Sequence, residues 1–277
     1  MQEKQQVASQ PAYDEIAQCF VDARQSGKPL HAYPGATPQS LEASYAIQDA
    51  AIRRWPDRIG GWKVGRIPEP DATHFGVNRL AGPIFAKFIQ PASDTFEVQI
   101  FSDGFAAVES EVILVLSEDA PPEKKDWTAE EARALIGAVR AGAEIASSPF
   151  AGINSNGPLV TISDFGNNSG LLLGEELPDW RDFQITDWRC ETFIDGVSVG
   201  ADDPSSIPGG PIESLRFLLE LCGRRGLPLK KGMYVSSGAI TGVHEIRSGQ
   251  TARITFNGVS PINCRMTKFS PRDPAQQ

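Results

Sequence analysis

The stretch Val108-Glu-Ser-Glu-Val-Ile-Leu-Val-Leu116 decides the fold: it is an apolar run of strand character with two acids near its start. Side chains two apart on a strand share a face, so Glu109 and Glu111 point the same way, in line with Ile113 and Val115. Such a face is an interior one. An unpaired ionised carboxylate in an apolar setting costs on the order of several kcal/mol, so a chain that places two there is expected to supply a cation. A divalent metal ion is the expectation. Strands half exposed to water also alternate charged and apolar residues, and on the Glu-x-Glu pair alone that alternative stands beside the metal.

A third ligand has one clear candidate. Thr128-Ala-Glu-Glu131 matches a capping box, which predicts a helix from Ala129 to about Val139. Beyond it, Ala141-Gly-Ala-Glu-Ile-Ala146 surrounds a single acid, Glu144, with small and apolar residues, as a short buried segment returning beside the first strand would. The adjacency of the two segments is an expectation from pattern.

Further strands are predicted at 96–100, 106–116, 170–173, 186–194, 234–236, 252–256 and 262–266, giving an α+β chain with a large mixed β core. Helical spacing of apolar residues predicts helices over 11–26 (Ile16, Cys19, Phe20, Ala23), 40–54 (Leu41, Tyr45, Gln48, Ile52) and 211–222 (Ile212, Leu215, Leu218, Leu219, Cys222). After the strand-like Trp62-Lys-Val64, Pro68, Pro70, Gly76, Gly82, Pro83 and Pro91 predict mostly loops up to Ile100. The expected organisation is a helical lobe with a lysine-bearing loop region over 1–93, a β-rich catalytic domain over 94–269 and a flexible tail over 270–277.

Composition narrows the function. The chain has 277 residues, is 40% hydrophobic and 22% charged, and carries a formal net charge of −9. No apolar run approaches the ~20 residues of a membrane helix, and Met1-Gln-Glu-Lys-Gln-Gln6 lacks the basic start and apolar stretch of a secretory signal, so a cytoplasmic protein is expected. The acidic balance argues against nucleic acid as a partner. Cys19, Cys190, Cys222 and Cys264 are widely spaced and are expected to be buried free thiols, and His31, His74 and His244 stand alone. A nitrogen and sulfur metal site is therefore unsupported, and oxygen ligands favour Mg²⁺ or Mn²⁺.

Taken in order, Ser44-Tyr-Ala-Ile-Gln48, Gly61-Trp-Lys-Val-Gly65, Val108-Glu-Ser-Glu-Val112, Gly142-Ala-Glu-Ile145 and Ser236-Ser-Gly-Ala239 resemble the 2-keto-4-pentenoate hydratases, within the wider fumarylacetoacetate hydrolase family. The resemblance covers roughly residues 40 to 268. It implies a mixed β-roll with helices outside it and a small N-terminal helical lobe, a homo-oligomer, and a metal-dependent lyase of aromatic catabolism acting on small unsaturated 2-oxo acids. By position it makes Glu109, Glu111 and Glu144 ligands of Mg²⁺ or Mn²⁺, with open coordination positions for the keto and carboxylate oxygens of the substrate. Lys63 matches the family's active-site lysine. From the residues alone, Lys63 is either buried with a perturbed pKa or a snorkelling surface lysine. Ser237 and Gly238 are implied to hold the substrate carboxylate, the alternative being a strand that ends in a glycine turn. In Asp164-Phe-Gly-Asn-Asn-Ser-Gly170, either Asn168 or Ser169 takes the position of a family serine, and polar turn chemistry alone also explains that loop.

One departure bears on the reaction. Typical hydratases carry an aspartate where this chain, in Gly76-Val-Asn-Arg-Leu-Ala-Gly-Pro-Ile84, has no acid and an apolar residue near Leu80; related decarboxylases also have an apolar residue there. Hydration of a 2-hydroxy-2,4-dienoate to a 4-hydroxy-2-oxo acid is the leading expectation. The alternatives are decarboxylation of a 2-oxo-3-enedioate, hydrolysis of an acylpyruvate carbon–carbon bond, and a catalytically silent 2-oxo-acid-binding subunit.

Overall fold

The structure, a computed structural model, describes residues 10–91, 96–181 and 185–271. In chain order its elements are α1 (Gln10–Ser26), α2 (Leu41–Arg54), β1 (Ile59–Arg66), α3 (Asp71–Phe75), β2 (Arg79–Phe85), β3 (Ile89–Pro91), β4 (Phe96–Ile100), β5 (Phe105–Leu116), α4 (Ala129–Ala134), β6 (Ile136–Ser148), α5 (Pro158–Ser163), β7 (Asn168–Glu176), β8 (Cys190–Ile194), β9 (Val197–Asp202), α6 (Gly210–Arg224), β10 (Tyr234–Ser236), β11 (His244–Glu245), β12 (Thr251–Phe256) and β13 (Ile262–Lys268). Among the described residues the strands form two sheets. The larger runs β2-β1-β10-β5-β6-β7-β3 with β11 added to β5, and the smaller runs β4-β13-β12-β8-β9. Both mix parallel and antiparallel pairs, so the chain is α+β with a mixed β core, as expected.

The antiparallel pair β5–β6 is the spine of the larger sheet, and its register sets Glu109 opposite Glu144 and Glu111 opposite Gly142. The small residues of β6 are a packing requirement: a Cβ at Gly142 would come within 2.2 Å of Ile113 Cγ1. Helix α6 lies on the main core through Leu215, Leu218, Leu219 and Cys222. Helices α1 and α2 build a second apolar cluster, in which Ile16, Phe20 and Ile47 meet Phe85, Phe150 and Phe165.

Several expectations need correction. The capping box at Thr128 and Glu131 forms, but α4 stops at Ala134 and the chain is already strand at Ile136, so 136–139 is not helical. Pairing with the long buried β5 outweighs a local helix signal there. The region after Lys63 is not dominated by loops, since β2 pairs antiparallel with β1 along its length and every residue of it is buried. Pro83 is compatible with β2 because that strand lies at the sheet edge, where a missing N–H breaks no outer ladder. Strand β9 is a further difference from the sequence expectation. It pairs with β8 through the turn at Asp195 and Gly196, both at positive φ, and this Asp-Gly hairpin signal was present in the sequence. Cys19 is exposed, whereas Cys190, Cys222 and Cys264 are buried, and all four are free thiols. Of the expected tail, residues from 272 onward lie outside the described ones, as does the N-terminal stretch 1–9. No helix of the described residues is long and apolar enough to cross a membrane.

Candidate metal centre and its cavity

Glu109, Glu111 and Glu144 are buried together, and one carboxylate oxygen from each lies within 4.8 Å of the others. The strand alternation brings Glu109 and Glu111 to one face, and the β5–β6 register delivers Glu144 to the same place. Glu111 is oriented through one oxygen only: its Oε2 accepts from Ser236 Oγ at 2.6 Å and from the Gly238 amide at 2.8 Å. Glu111 Oε1 and Glu144 Oε2 are buried without a hydrogen bond. The other oxygen of Glu144 accepts from Asn168 Nδ2 at 3.0 Å.

Lys63 is buried, 3% exposed, which decides against a snorkelling side chain. Its Nζ lies 3.5 Å from Glu144 Oε2 and donates to Asn167 Oδ1 at 3.3 Å. Burial alone would lower its pKa, but Glu144, Glu109 and Glu111 together outweigh that and raise it, so the ammonium form is held. The acids respond oppositely. Desolvation first and Glu144 second, against Lys63, push Glu109 up to about 8. Desolvation, Glu144 and Glu109 push Glu111 well above the usual carboxylate range despite its bonds from Ser236 and Gly238.

This donor set fits a hard divalent ion. Three ionised carboxylates and one ammonium sum to −3 + 1 = −2, which one divalent cation cancels. Glu111 Oε1, which has no partner, and Glu144 Oε2, which has only the 3.5 Å ion pair with Lys63, are anionic atoms of the type such an ion takes as ligands.

Glu109 and Lys63 open onto a cavity of about 720 Å³ whose wall includes Leu80, Asn167, Ser237 and Gly238. Ser237 Oγ donates to Val112 O at 2.7 Å, and the Gly238 amide is already engaged by Glu111, so both groups implied to hold substrate are tied to β5 in this structure. Gly238 has φ 125°, a conformation that favours glycine. Asn168 is turned onto Glu144, while Ser169 is the extra residue of a bulge, since Ile145 pairs with Gly170 and Ala146 with Asn168, and it is not part of the cavity wall. Two contributors were missed in the sequence: Asn167, which touches Lys63, and Ser236, which orients Glu111. Asp71, at the start of α3, is the acid other than Glu109 in this wall among the described residues, and Arg66 and Arg79, paired across β1 and β2, also line it.

No family model matches the chain. A 2-keto-4-pentenoate hydratase of Paraburkholderia xenovorans is 25% identical over 256 residues, which is 90% of this chain and 93% of the relative. The same enzyme name is carried by a Dechloromonas aromatica relative, 25% identical over 80% of this chain and 84% of its own length. Among solved structures, 4-oxalocrotonate decarboxylase from Pseudomonas putida G7, complexed with magnesium and adipate, superposes with a TM-score of 0.79 at 17% identity, covering 94% of this chain and 98% of that one. Fumarylpyruvate hydrolase from Pseudomonas aeruginosa, in complex with Mn²⁺ and pyruvate, gives 0.56 at 15% identity over 78% and 91%. Along most of its length the chain is thus similar in sequence to 2-keto-4-pentenoate hydratases, and it shares the fold of these metal-complexed decarboxylase and hydrolase structures.

Proposed function

We propose that this protein is a divalent-metal-dependent lyase that hydrates a small 2-hydroxy-2,4-dienoate to a 4-hydroxy-2-oxo acid. The observation that carries the reading is the buried triad, with two carboxylate oxygens that accept no hydrogen bond, opening beside Lys63 into a cavity sized for a small acid. Glu109, Glu111 and Glu144 would hold Mg²⁺ or Mn²⁺, which when bound stabilises negative charge on the keto oxygen of a 2-oxo acid.

The residues supply the rest. Lys63, held as the ammonium, binds the substrate carboxylate or moves a proton at Nζ. Asn167 Oδ1 fixes where that ammonium points. In the balance of the reaction, a proton leaves the enol hydroxyl and one is placed on the far carbon of the diene, and water then adds across the remaining double bond. The net change is gain of one water. Ser237 and Gly238 serve the substrate carboxylate in this reading, which requires substrate to compete with Val112 O and Glu111 for their donors.

A second reading is decarboxylation of a 2-oxo-3-enedioate. It is favoured by the apolar side chain that Leu80 brings to the wall, and by Arg66 and Arg79, which would suit a second carboxylate. A cytoplasmic homo-oligomer completes the proposal. Val197, Val199 and Val243 are exposed large apolar side chains compatible with association, and sedimentation at several concentrations tests it.

The deciding experiment offers 2-hydroxypenta-2,4-dienoate and 2-oxohex-3-enedioate in parallel, with Mg²⁺ or Mn²⁺ and with chelator, and resolves products by mass. Chelator-sensitive gain of water on the dienoate supports hydration. Loss of CO₂ from the diacid moves the assignment to decarboxylation, and turnover of neither refutes both.

A further inference from the structure

Arg24 lies on α1, outside the cavity wall, yet it is 5% exposed and bonded to the loop that serves the metal centre. Its guanidinium forms a two-pronged ion pair with Asp164: Nε with Oδ1, and Nη2 with Oδ2 at 3.0 Å. Nη2 also donates to Ser147 O at 3.1 Å and to Asp164 O at 3.3 Å, and Nη1 donates to Asn168 O at 2.9 Å. The same group lies over the Phe165 ring, 5.2 Å from its centroid. Ser148 Oγ donates to Asp164 Oδ2 at 2.6 Å and anchors the pair to the end of β6.

The segment so gripped has an unusual backbone. Phe165, Gly166 and Asn167 are all left-handed, with φ of 53°, 62° and 60°. Phe165 is neither glycine nor asparagine, and such a residue keeps this conformation only where its surroundings impose it. The left-handed turn has a consequence at its exit: Asn167 reaches Lys63, and the next residue, Asn168, reaches Glu144.

We propose that Arg24 is a positioning residue of the metal centre, acting through the Asp164–Asn168 turn to fix Asn168 on Glu144 and Asn167 on Lys63. The proposal rests on the triad being a metal site. Its relay has three links: Arg24 to the Asn168 carbonyl, the Asn168 side chain to Glu144, and Glu144 to the ion. Lysine at position 24 retains the charge opposite Asp164 but has no planar fork able to engage Asp164, Ser147 O and Asn168 O together.

The test is Mn²⁺ affinity, measured by electron paramagnetic resonance on the full chain at a temperature well below unfolding, with circular dichroism as the fold control. Parent, Arg24→Lys, the charge-neutral double variant Arg24→Met/Asp164→Asn, and Asn168→Ala are compared. The expected result is Mn²⁺ binding weakened about tenfold or more in each, the range seen when groups that orient metal ligands are removed. Combining Arg24→Lys with Asn168→Ala should be no worse than the poorer single change, since both cut one relay. A folded Arg24→Lys or double variant that binds Mn²⁺ like the parent overturns the proposal. Parental affinity in Asn168→Ala overturns the relay whether or not the Arg24 variants fold. Failure of the parent itself to bind Mn²⁺ would instead refute the metal site and the relay with it.

Discussion

Removing the divalent ion should make this protein less stable as pH rises, because Glu109 and Glu111, left without a cation, are driven to hold protons that the unfolded chain releases. Burial and Glu144 raise Glu109 to about 8 from an ordinary 4.5. Between those values the metal-free native state binds a proton that the unfolded state has lost, so stability falls with increasing pH. The span is 8 − 4.5 = 3.5 pH units. At ~1.4 kcal/mol per unit this allows a loss of about 5 kcal/mol for one group as an upper bound, since local relaxation and water entry screen buried charge. At about 2–4 °C per kcal/mol for domains of this size class, a drop in melting temperature of up to roughly 10–20 °C follows. A bound divalent ion replaces the protons and should flatten the dependence. The assay is thermal unfolding with excess Mg²⁺ or Mn²⁺ and with chelator at pH 5, 6.5 and 8. The gap between the two melting temperatures should widen with pH, and titration calorimetry in buffers of different ionisation enthalpy should show proton release on metal binding. A gap that stays constant or narrows as pH rises would refute the account of the triad as a charge-frustrated site completed by a cation.

Glu111→Gln should abolish metal-dependent stabilisation and activity while making the metal-free protein at pH 8 more stable by about 1–3 kcal/mol: the amide oxygen can keep the bonds from Ser236 and Gly238 while the repulsion is removed, as chelator-treated melts would show. Lys63→Ala should retain Mn²⁺ binding and lose turnover, so unchanged turnover in a product assay would remove Lys63 from the chemistry. Gly82→Ala should lower the melting temperature by a shift corresponding to about 1–3 kcal/mol, because its Cβ would fall 2.0 Å from Phe165 O and push the turn that carries Asn167. Substrate KM and kcat for that variant should worsen together.

The fold was most legible where one periodicity applied along a whole element. The sequence pattern predicts β4 and β10 with their observed bounds, and the apolar stripe of α6 identifies the face that packs on the core. Legibility failed where tertiary pairing overrode a local signal. The capping box at Thr128 was real, but it starts a helix that ends where β6 finds its partner, and no local property of 136–139 reports the presence of β5. Gly82 and Pro83 carry the local signature of loop punctuation, because their cause lies elsewhere in the chain. The glycine makes room for the Phe165 carbonyl, and the proline is tolerated because its strand is at an edge.

The centre shows the same division. Two carboxylates on one strand face are a property of two residues, so Glu109 and Glu111 could be paired from sequence, whereas Glu144 opposite Glu109 is a property of a register. The residues that orient these acids carry weaker marks. Ser236 sits beside Ser237 and Gly238 with no mark of its own, and Asn167 occupies a left-handed position of the kind asparagine accepts, which an Asn-Asn pair after glycine hints at but cannot assign. Arg24 had the clearest unused signal. It falls four residues after Phe20 and eight after Ile16, on the buried stripe of α1, where an arginine needs a buried partner. A charge on an apolar stripe is therefore the same kind of clue as the two acids on β5. Asp164 answers Arg24 inside the protein, while no side chain among the described residues offers the triad enough positive charge, which is why that second surplus points to an ion.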